Sequence, residues 1–342
     1  MFRAQLIFEK MAYPGCPFSH VSNLTQLDEN TLMAQWYSGW HEEANNQAIF
    51  GAKYNIKEGA WSKPFLLSKS TRYPEGNGVI WKDPGTGKLF LFHATIWTTK
   101  EREKALGRGW YRCKVFYMAS NDDGASWGER CVLMDELGYN VRHVPIVLAD
   151  GRMLLPMYHE YPAHGIVAIS DNRGETFHFS QPIKNHDRYT DVTRFFVNWG
   201  NIQPTLAELS DSSILALLRT RRFGKVFRSV STDRGETWSP AEETGLLNPD
   251  EGICMVKLKS GRLVLIFNNS SKSVHGMWLA ACDDGKGLSW TVVKRIEQDP
   301  RLKLTYPSIM QARDGTIHAT YTWDRKSIKH VYFDEDWLVS GD

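Results

Sequence analysis

The chain has 342 residues, a formal net charge of +2, and 42% hydrophobic and 12% aromatic residues. It carries no basic block or acidic tail, which argues against nucleic-acid and anionic-membrane partners, and no apolar run reaches bilayer-spanning length. The five cysteines (Cys16, Cys113, Cys131, Cys254, Cys282) form no CxxC pair and read as free, mostly buried thiols. The opening "MFRAQLIFEKMAYPG" lacks the long apolar core of a secretion signal, so a reduced, cytoplasmic setting is expected.

In chain order, residues 2–9 read as a strand. "HVSNLTQLDENTLMAQWYSG" (20–39) reads as a hairpin with a long turn, and "GVIWKDPGTGKLFLFHAT" (78–95) as a second hairpin. The polar piece 98–107, "TTKEREKALG", is the best helical candidate. Hairpins follow at 143–160 and 203–221, then at 253–269 around Ser-Gly and at 306–324 around Asp-Gly. After each hairpin comes a third strand and then an aromatic-bearing turn.

Three of those turns repeat a motif: "SNDDGASWGE" (120–129), "SDNRGETFHF" (170–179) and "STDRGETWSP" (231–240). "CDDGKGLSW" (282–290) is a lengthened copy; "KYNIKEGAWS" (53–62) and "YFDEDW" (332–337) are worn copies. Regular repetition of this kind marks a solenoid or propeller. Six four-stranded units predict an all-β, six-bladed β-propeller in one domain. The first strand of each blade lies nearest the axis, and the strand 2–9 closes the last blade. The motif is then a turn between third and fourth strands. Its Asp and Ser bond the turn's own backbone, its Gly takes a positive φ, and its aromatic packs under the neighbouring blade. Asp122, Asp171 and Asp233 are accordingly read as structural.

Alternation of strand direction puts first-strand starts and second-strand ends on the face opposite these turns. A ligand site near the axis draws on them. First-strand starts supply His20, Asn77, Arg142, His143, Gln203, Asp250, Glu251 and Tyr306. Second-strand ends supply Trp40, His41, Glu42, Glu43, His93, His159, Glu160, Arg219, Arg221, Arg222, Asn268, Asn269, Asp324 and Arg325. No HxxEH or HExxH spacing and no phosphate-binding loop occurs, so no metal or other cofactor is expected.

The Ser-x-Asp-x-Gly-x-Ser/Thr-aromatic turns resemble the Asp-boxes of the sialidase superfamily. The chain is similar to BNR/Asp-box repeat proteins over nearly its whole length, including "NIQPTLAEL" and "TYPSIMQARDGTIHATYTWDRKSIKHV". Sialidases pair a tyrosine nucleophile with a glutamate, use an aspartate as acid/base, and grip the substrate carboxylate with three arginines. The resemblance implies that Tyr306 holds the nucleophile position and Arg219 one arginine position. His20 stands where the first arginine is expected, and Gln203 where the glutamate is. "FNNSSKSVHG" lacks the fifth blade's arginine, and "WHEEANNQ" offers Glu42 and Glu43 instead of the aspartate.

Three functions fit these residues. The first is hydrolysis of a glycosidic bond in an acidic oligosaccharide other than a simple sialoside, with Tyr306, His20, His143, His159, Glu42 and Glu160 as catalytic candidates. Arg219, Arg142, Gln203, Asn77, Asp250, Glu251, Asp324 and Trp40 would bind the substrate. The second is elimination at a uronic acid, with a histidine or Tyr306 as base and an arginine neutralising the carboxylate. The third is sugar binding without catalysis, using Trp40, Trp97, Trp199, Asn77 and Asn268.

Overall fold

The computed structural model describes residues 1–97, 109–186 and 200–340. The helical candidate at 98–107 and Trp199 lie outside the described residues. Among the described residues, no helix is long and apolar enough to cross a membrane. All five cysteines are free, and Cys131 is exposed.

Six antiparallel sheets follow one another along the chain, forming a six-bladed propeller. The first blade holds Phe18–Gln26, Thr31–Gly39, Ala48–Asn55 and a short outer edge at Phe65–Ser68. The second holds Glu75–Lys82, Leu89–Ile96, Cys113–Ser120 and Cys131–Met134. In the third blade the inner strand is broken: Tyr139–Val141 and Ile146–Val147 both pair with Met153–His159. The fourth runs from Gly200–Glu208 to Glu242–Leu247, and the fifth from Cys254–Lys257 to Thr291–Gln298. The sixth contains Leu304–Gln311, Ile317–Trp323 and Ser327–Phe333. Its outer strand is Phe2–Leu6, whose Phe2 pairs with Phe333 and Leu6 with Lys329. This pairing covers an edge that would otherwise expose unpaired backbone groups.

One apolar core fills each gap between blades. Met33, Leu67, Ile80 and Leu89 join the first and second, while Trp36, Phe50 and Ile328 join the first and sixth. Each turn aromatic enters the core that its own blade shares with the blade before it. Trp127 packs between blades one and two, Phe177 between two and three, and Trp238 between three and four. Trp290 does so between four and five, Trp337 between five and six, and Trp61 between six and one. The repeat therefore supplies one interblade wedge per blade, by apolar burial.

The turn itself is a hydrogen-bonded knot. The Ser120 hydroxyl donates to Asp122 Oδ1 at 2.7 Å and accepts from Gly124 N at 2.9 Å, and Ser126 N donates to Asp122 Oδ1 at 2.8 Å. Ser231, Asp233, Gly235 and Thr237 repeat this geometry. Gly124 and Gly235 take φ of 84° and 90°, where a side chain would be strained. The third blade corrects the sequence reading. There the box position belongs to Asn172, which accepts from Ser170 Oγ at 2.9 Å and Thr176 N at 2.9 Å. Asp171 sits one residue early and pairs with Arg152 at 2.7 Å instead.

Candidate functional site

The inner strands share a local distortion that shapes the axial cavity. Four of them bulge, with pairing shifted between His20 and Asn23, Gly76 and Val79, Ile202 and Thr205, and Thr305 and Ser308. Within the bulges Val21, Asn77, Gln203 and Tyr306 adopt φ of 58°, 47°, 55° and 52°. Bulges re-aim side chains, and all four residues line one cavity of about 580 Å³. Val21 is β-branched, a residue type for which this conformation is costly. A backbone strained four times over at one surface is an arrangement typical of a binding site.

Tyr306 stands at the centre of the polar network. Its hydroxyl oxygen accepts from Arg219 Nη1 at 2.6 Å. Arg219 also donates to Gln203 Oε1 at 3.2 Å and pairs with Asp250 at 3.1 Å. Tyr158 accepts from Asn77 Nδ2 at 3.0 Å and Gln203 Nε2 at 3.3 Å, which fixes the amides of two bulges against each other. On the wall, Arg221 pairs with Glu160, and Arg325 pairs with Glu42 at 3.2 Å. The Glu42 carboxylate also accepts from Tyr37, and Glu43 accepts from Gly109 N at 3.2 Å.

Glu251 differs from these carboxylates. Its Oε2 is buried and has no hydrogen-bond partner. Burial pushes its carboxyl up to about 7; Asp250 and Glu42 add to the effect, while Arg219 and Arg325 oppose it. It is thus the cavity carboxyl that carries a proton near neutral pH. Burial also raises the Tyr306 phenol, against the pull of Arg219 and with Glu251 and Glu42 adding to the rise. Five carboxyls (Glu42, Glu43, Glu160, Asp250, Glu251) are interleaved with three guanidiniums (Arg219, Arg221, Arg325) round the cavity.

Of the residues singled out in the sequence, Tyr306, Glu42, Glu43, Glu160, Arg219, Arg221, Arg325, Gln203, Asn77, Asp250 and Glu251 line this cavity. Six other candidates lie elsewhere. His20 is buried behind Tyr306, with ring centroids 4.5 Å apart and Nδ1 2.9 Å from Thr322 Oγ1. Burial, reinforced by Arg325, Arg142 and Arg219, holds its pKa well below the ordinary value, so it is neutral. His143 is buried with both ring nitrogens unpartnered, and burial likewise keeps it neutral. His159 packs outside the cavity, where Nδ1 accepts from Tyr161 N at 3.1 Å and the ring stacks on His164. Arg142 is only 1% exposed and lies beneath the cavity. Asp324 pairs with Lys326 at 2.6 Å; of the adjacent pair Asp324 and Arg325, both in left-handed backbone, the cavity receives Arg325. Trp40 is exposed beside a separate hollow shared with Asn45, Asn46 and Lys69.

Tyr37, Tyr158, Trp110 and Tyr111 line the cavity and were not singled out in the sequence. Tyr158 is one residue inside a strand end at His159, so attention to the last two residues of each second strand would have found it. Trp110 and Tyr111 come from the 3-10 turn Gly109–Arg112, which no repeat signal marks. Among the described residues, no cluster of His, Cys, Asp and Glu is arranged to hold a metal ion.

Comparison with known proteins agrees with this architecture. No curated protein matches the chain. Among solved structures, the intramolecular trans-sialidase from Ruminococcus gnavus superposes with a TM-score of 0.73 at 15% identity, over 95% of this chain and 96% of that one. The NanB sialidase from Streptococcus pneumoniae gives 0.74 at 13% identity, over 98% and 71%. The α-L-arabinanase from Penicillium chrysogenum gives 0.66 at 12% identity, over 97% of each chain. The profile of the BNR repeat-like domain matches residues 30–319. The chain belongs to that BNR repeat-like family and has the sialidase-like form of the six-bladed propeller.

Proposed function

We propose that the protein cleaves a glycosidic bond next to a sugar bearing a single carboxylate. The observation that carries this reading is the coexistence, in one cavity, of a proton-bearing Glu251 and the Arg219–Tyr306 contact. A carboxyl with a pKa near 7 is suited to protonate a departing oxygen at neutral pH. In hydrolysis, Glu251 gives its proton to the glycosidic oxygen as the carbon–oxygen bond breaks. Water adds to the anomeric carbon and releases a proton to solvent. Arg219 offers a planar fork to a substrate carboxylate, which must displace Asp250 to take it. The wall carboxyls beside Arg219 disfavour a polyanion and favour one acidic unit at a time.

One observation favours elimination as a second reading. Gln203 accepts from Arg219 in the place of a carboxylate base, so Tyr306 has no protein base beside it. In elimination, the ionised form of Tyr306 takes the proton next to the substrate carboxylate and becomes the neutral phenol. A carbon–carbon double bond forms, and Glu251 protonates the leaving oxygen.

A glucuronide disaccharide digested in ¹⁸O-water separates these readings. Hydrolysis places one labelled oxygen in a product and creates no new absorbance. Elimination gives an ultraviolet-absorbing unsaturated uronide without label. Turnover of a 4-methylumbelliferyl sialoside faster than the matching glucuronide would point back to sialidase chemistry. No product from glucuronide, sialoside or arabinoside substrates would overturn the enzymatic reading.

A further inference from the structure

Among the described residues, Arg142 is the most deeply buried arginine near the axis and has no counter-charge. It starts in the broken inner strand of the third blade and crosses to the opposite side of the ring. There its Nη2 donates to the Pro307 carbonyl at 2.7 Å and its Nη1 to the Ser22 carbonyl at 3.4 Å. Its Nε has no partner. Among the described residues it forms no ion pair, and the groups that favour its charged form are Cys254, Tyr306 and Tyr158, none of them a carboxylate. A guanidinium stays protonated even when buried, so a full positive charge sits under the cavity floor. Leaving such a charge uncompensated is costly, and a plug for the axis could be apolar.

That charge is aimed at Tyr306. The Arg142 guanidinium carbon lies 5.6 Å from the Tyr306 ring centroid, and that of Arg219 lies 5.5 Å away. The phenol is thus flanked by two guanidiniums, one in the cavity wall and one beneath it. Packed on its remaining side is His20, which is neutral. The negative groups acting on the phenol are Glu251, whose charge is reduced by protonation as pH falls through about 7, and Glu42, which is paired with Arg325. Among the described residues, the Tyr306 hydroxyl has no protein acceptor for its own proton.

We propose that Arg142 is a positioning residue that favours the ionised form of Tyr306, through its charge beneath the ring and its grip on the Pro307 carbonyl that follows the Tyr306 bulge. Activation by a neighbouring base is replaced by activation through fixed positive charge. The inference rests on the elimination reading, in which Tyr306 is the base, but its test needs no substrate.

Protein carrying 3-fluorotyrosine is titrated by ¹⁹F NMR, and the resonance absent from Tyr306→Phe reports Tyr306. Arg142→Met is expected to raise the Tyr306 midpoint by about one pH unit, a tenfold loss in ionisation constant. Arg142→Lys, which keeps the charge but loses the fork, is expected to restore most of that shift. A midpoint unchanged in folded Arg142→Met would overturn the proposal. If Arg142→Met does not fold, Arg142→Lys is not sufficient by itself, because it keeps the charge. In that case Arg142→Gln, which can still donate to a carbonyl but carries no charge, is set beside it: a midpoint raised tenfold in the glutamine and near the parent's in the lysine variant supports the role of charge, and equal midpoints in the two variants overturn it. Absence of glycan cleavage in the parent would remove the proposed function while leaving this titration to stand or fall by itself.

Discussion

The two faces of the propeller treat the same side chain in opposite ways. On the turn face, Asp122 is held down to about 2, chiefly by hydrogen bonds from the Ser126 hydroxyl and backbone N–H. Asp284 in the lengthened fifth-blade turn is also pushed down: Cys282 Sγ and four backbone N–H groups outweigh its partial burial. On the cavity face, Glu251 rises to about 7 because burial strips solvent from a carboxyl whose Oε2 has no partner. Donors lower a carboxyl pKa and desolvation raises it. The comparison teaches that donors keep the repeated turn carboxyls ionised as part of the scaffold, while burial lets the cavity's Glu251 hold a proton into the neutral range.

Removing the cavity carboxyl sharpens that contrast most. Glu251→Gln is expected to reduce turnover by roughly 10²–10⁴-fold, the usual contribution of a general acid. It should also erase the decline in rate as pH rises through about 7, measured as kcat/KM against pH. The sign for stability is opposite. The folded-state pKa lies above the unfolded value, so the native state holds the extra proton between about 4.5 and 7 and loses stability as pH rises through that window. Above pH 7 Glu251→Gln should therefore melt higher than the parent, by an amount on the order of 1 kcal/mol. A variant both less stable and fully active would place Glu251 with the structural carboxylates.

Asp250 tests the cavity from the other side. Asp250→Asn frees Arg219 from its wall partner and should tighten binding of free glucuronate roughly tenfold, leaving neutral glucose unaffected, as read by calorimetry. Weaker glucuronate binding would show that Asp250 orients Arg219 and does not compete for it.

Desolvation also acts far from the cavity, in the sixth blade. Trp61 donates to His330 Nδ1, so His330 Nε2–H donates to His318 Nδ1 at 3.0 Å. Burial lowers His318 to about 4, and burial together with His318 lowers His330 well below the ordinary value. Both folded pKa values lie below the unfolded one, so their stabilisation is complete above about 6.5 and is lost as pH falls towards 4. Thermal melts should show a loss on the order of 1 kcal/mol per pH unit in that window, and His318→Gln should flatten it. An unchanged slope in His318→Gln would assign acid lability to other groups.

The scaffold was legible because it is written six times. Alternating runs, Asp-Gly and Ser-Gly turns and the aromatic wedges all recur, and each copy corroborates the others. The cavity was half legible for the opposite reason, since its contents differ from blade to blade. Strand polarity alone placed Tyr306, Arg219, Gln203 and Asn77 on the correct face. It could not show that His143 and Arg142 turn inward where the third blade's inner strand is interrupted. Nor could it show that, of Asp324 and Arg325, both in left-handed backbone, the cavity receives the second. The burial that sets the state of Glu251 and His20 arises from neighbours distant in sequence, so no local pattern encodes it.

The smallest effect tests the turn face at its one ambiguous copy. By spacing from the glycine, the third-blade box residue is Asn172, and its side chain spans the turn from Ser170 to Thr176. Asp171 points outward to Arg152, which is also held by Glu236 at 2.7 Å. Removing Asn172 leaves the Thr176 N–H and the Ser170 hydroxyl without their acceptor, so Asn172→Ala should cost on the order of 1 kcal/mol. Asp171→Ala leaves Arg152 its second carboxylate at a partly exposed site, where ion pairs contribute little, and should cost about half a kcal/mol or less. Neither should change turnover, because both lie on the face opposite the cavity. Denaturant melts of the two variants make the comparison. If Asp171→Ala proved the more damaging, the wedge of Phe177 between blades two and three would depend on the Arg152 ion pair more than on the turn's own hydrogen bonds.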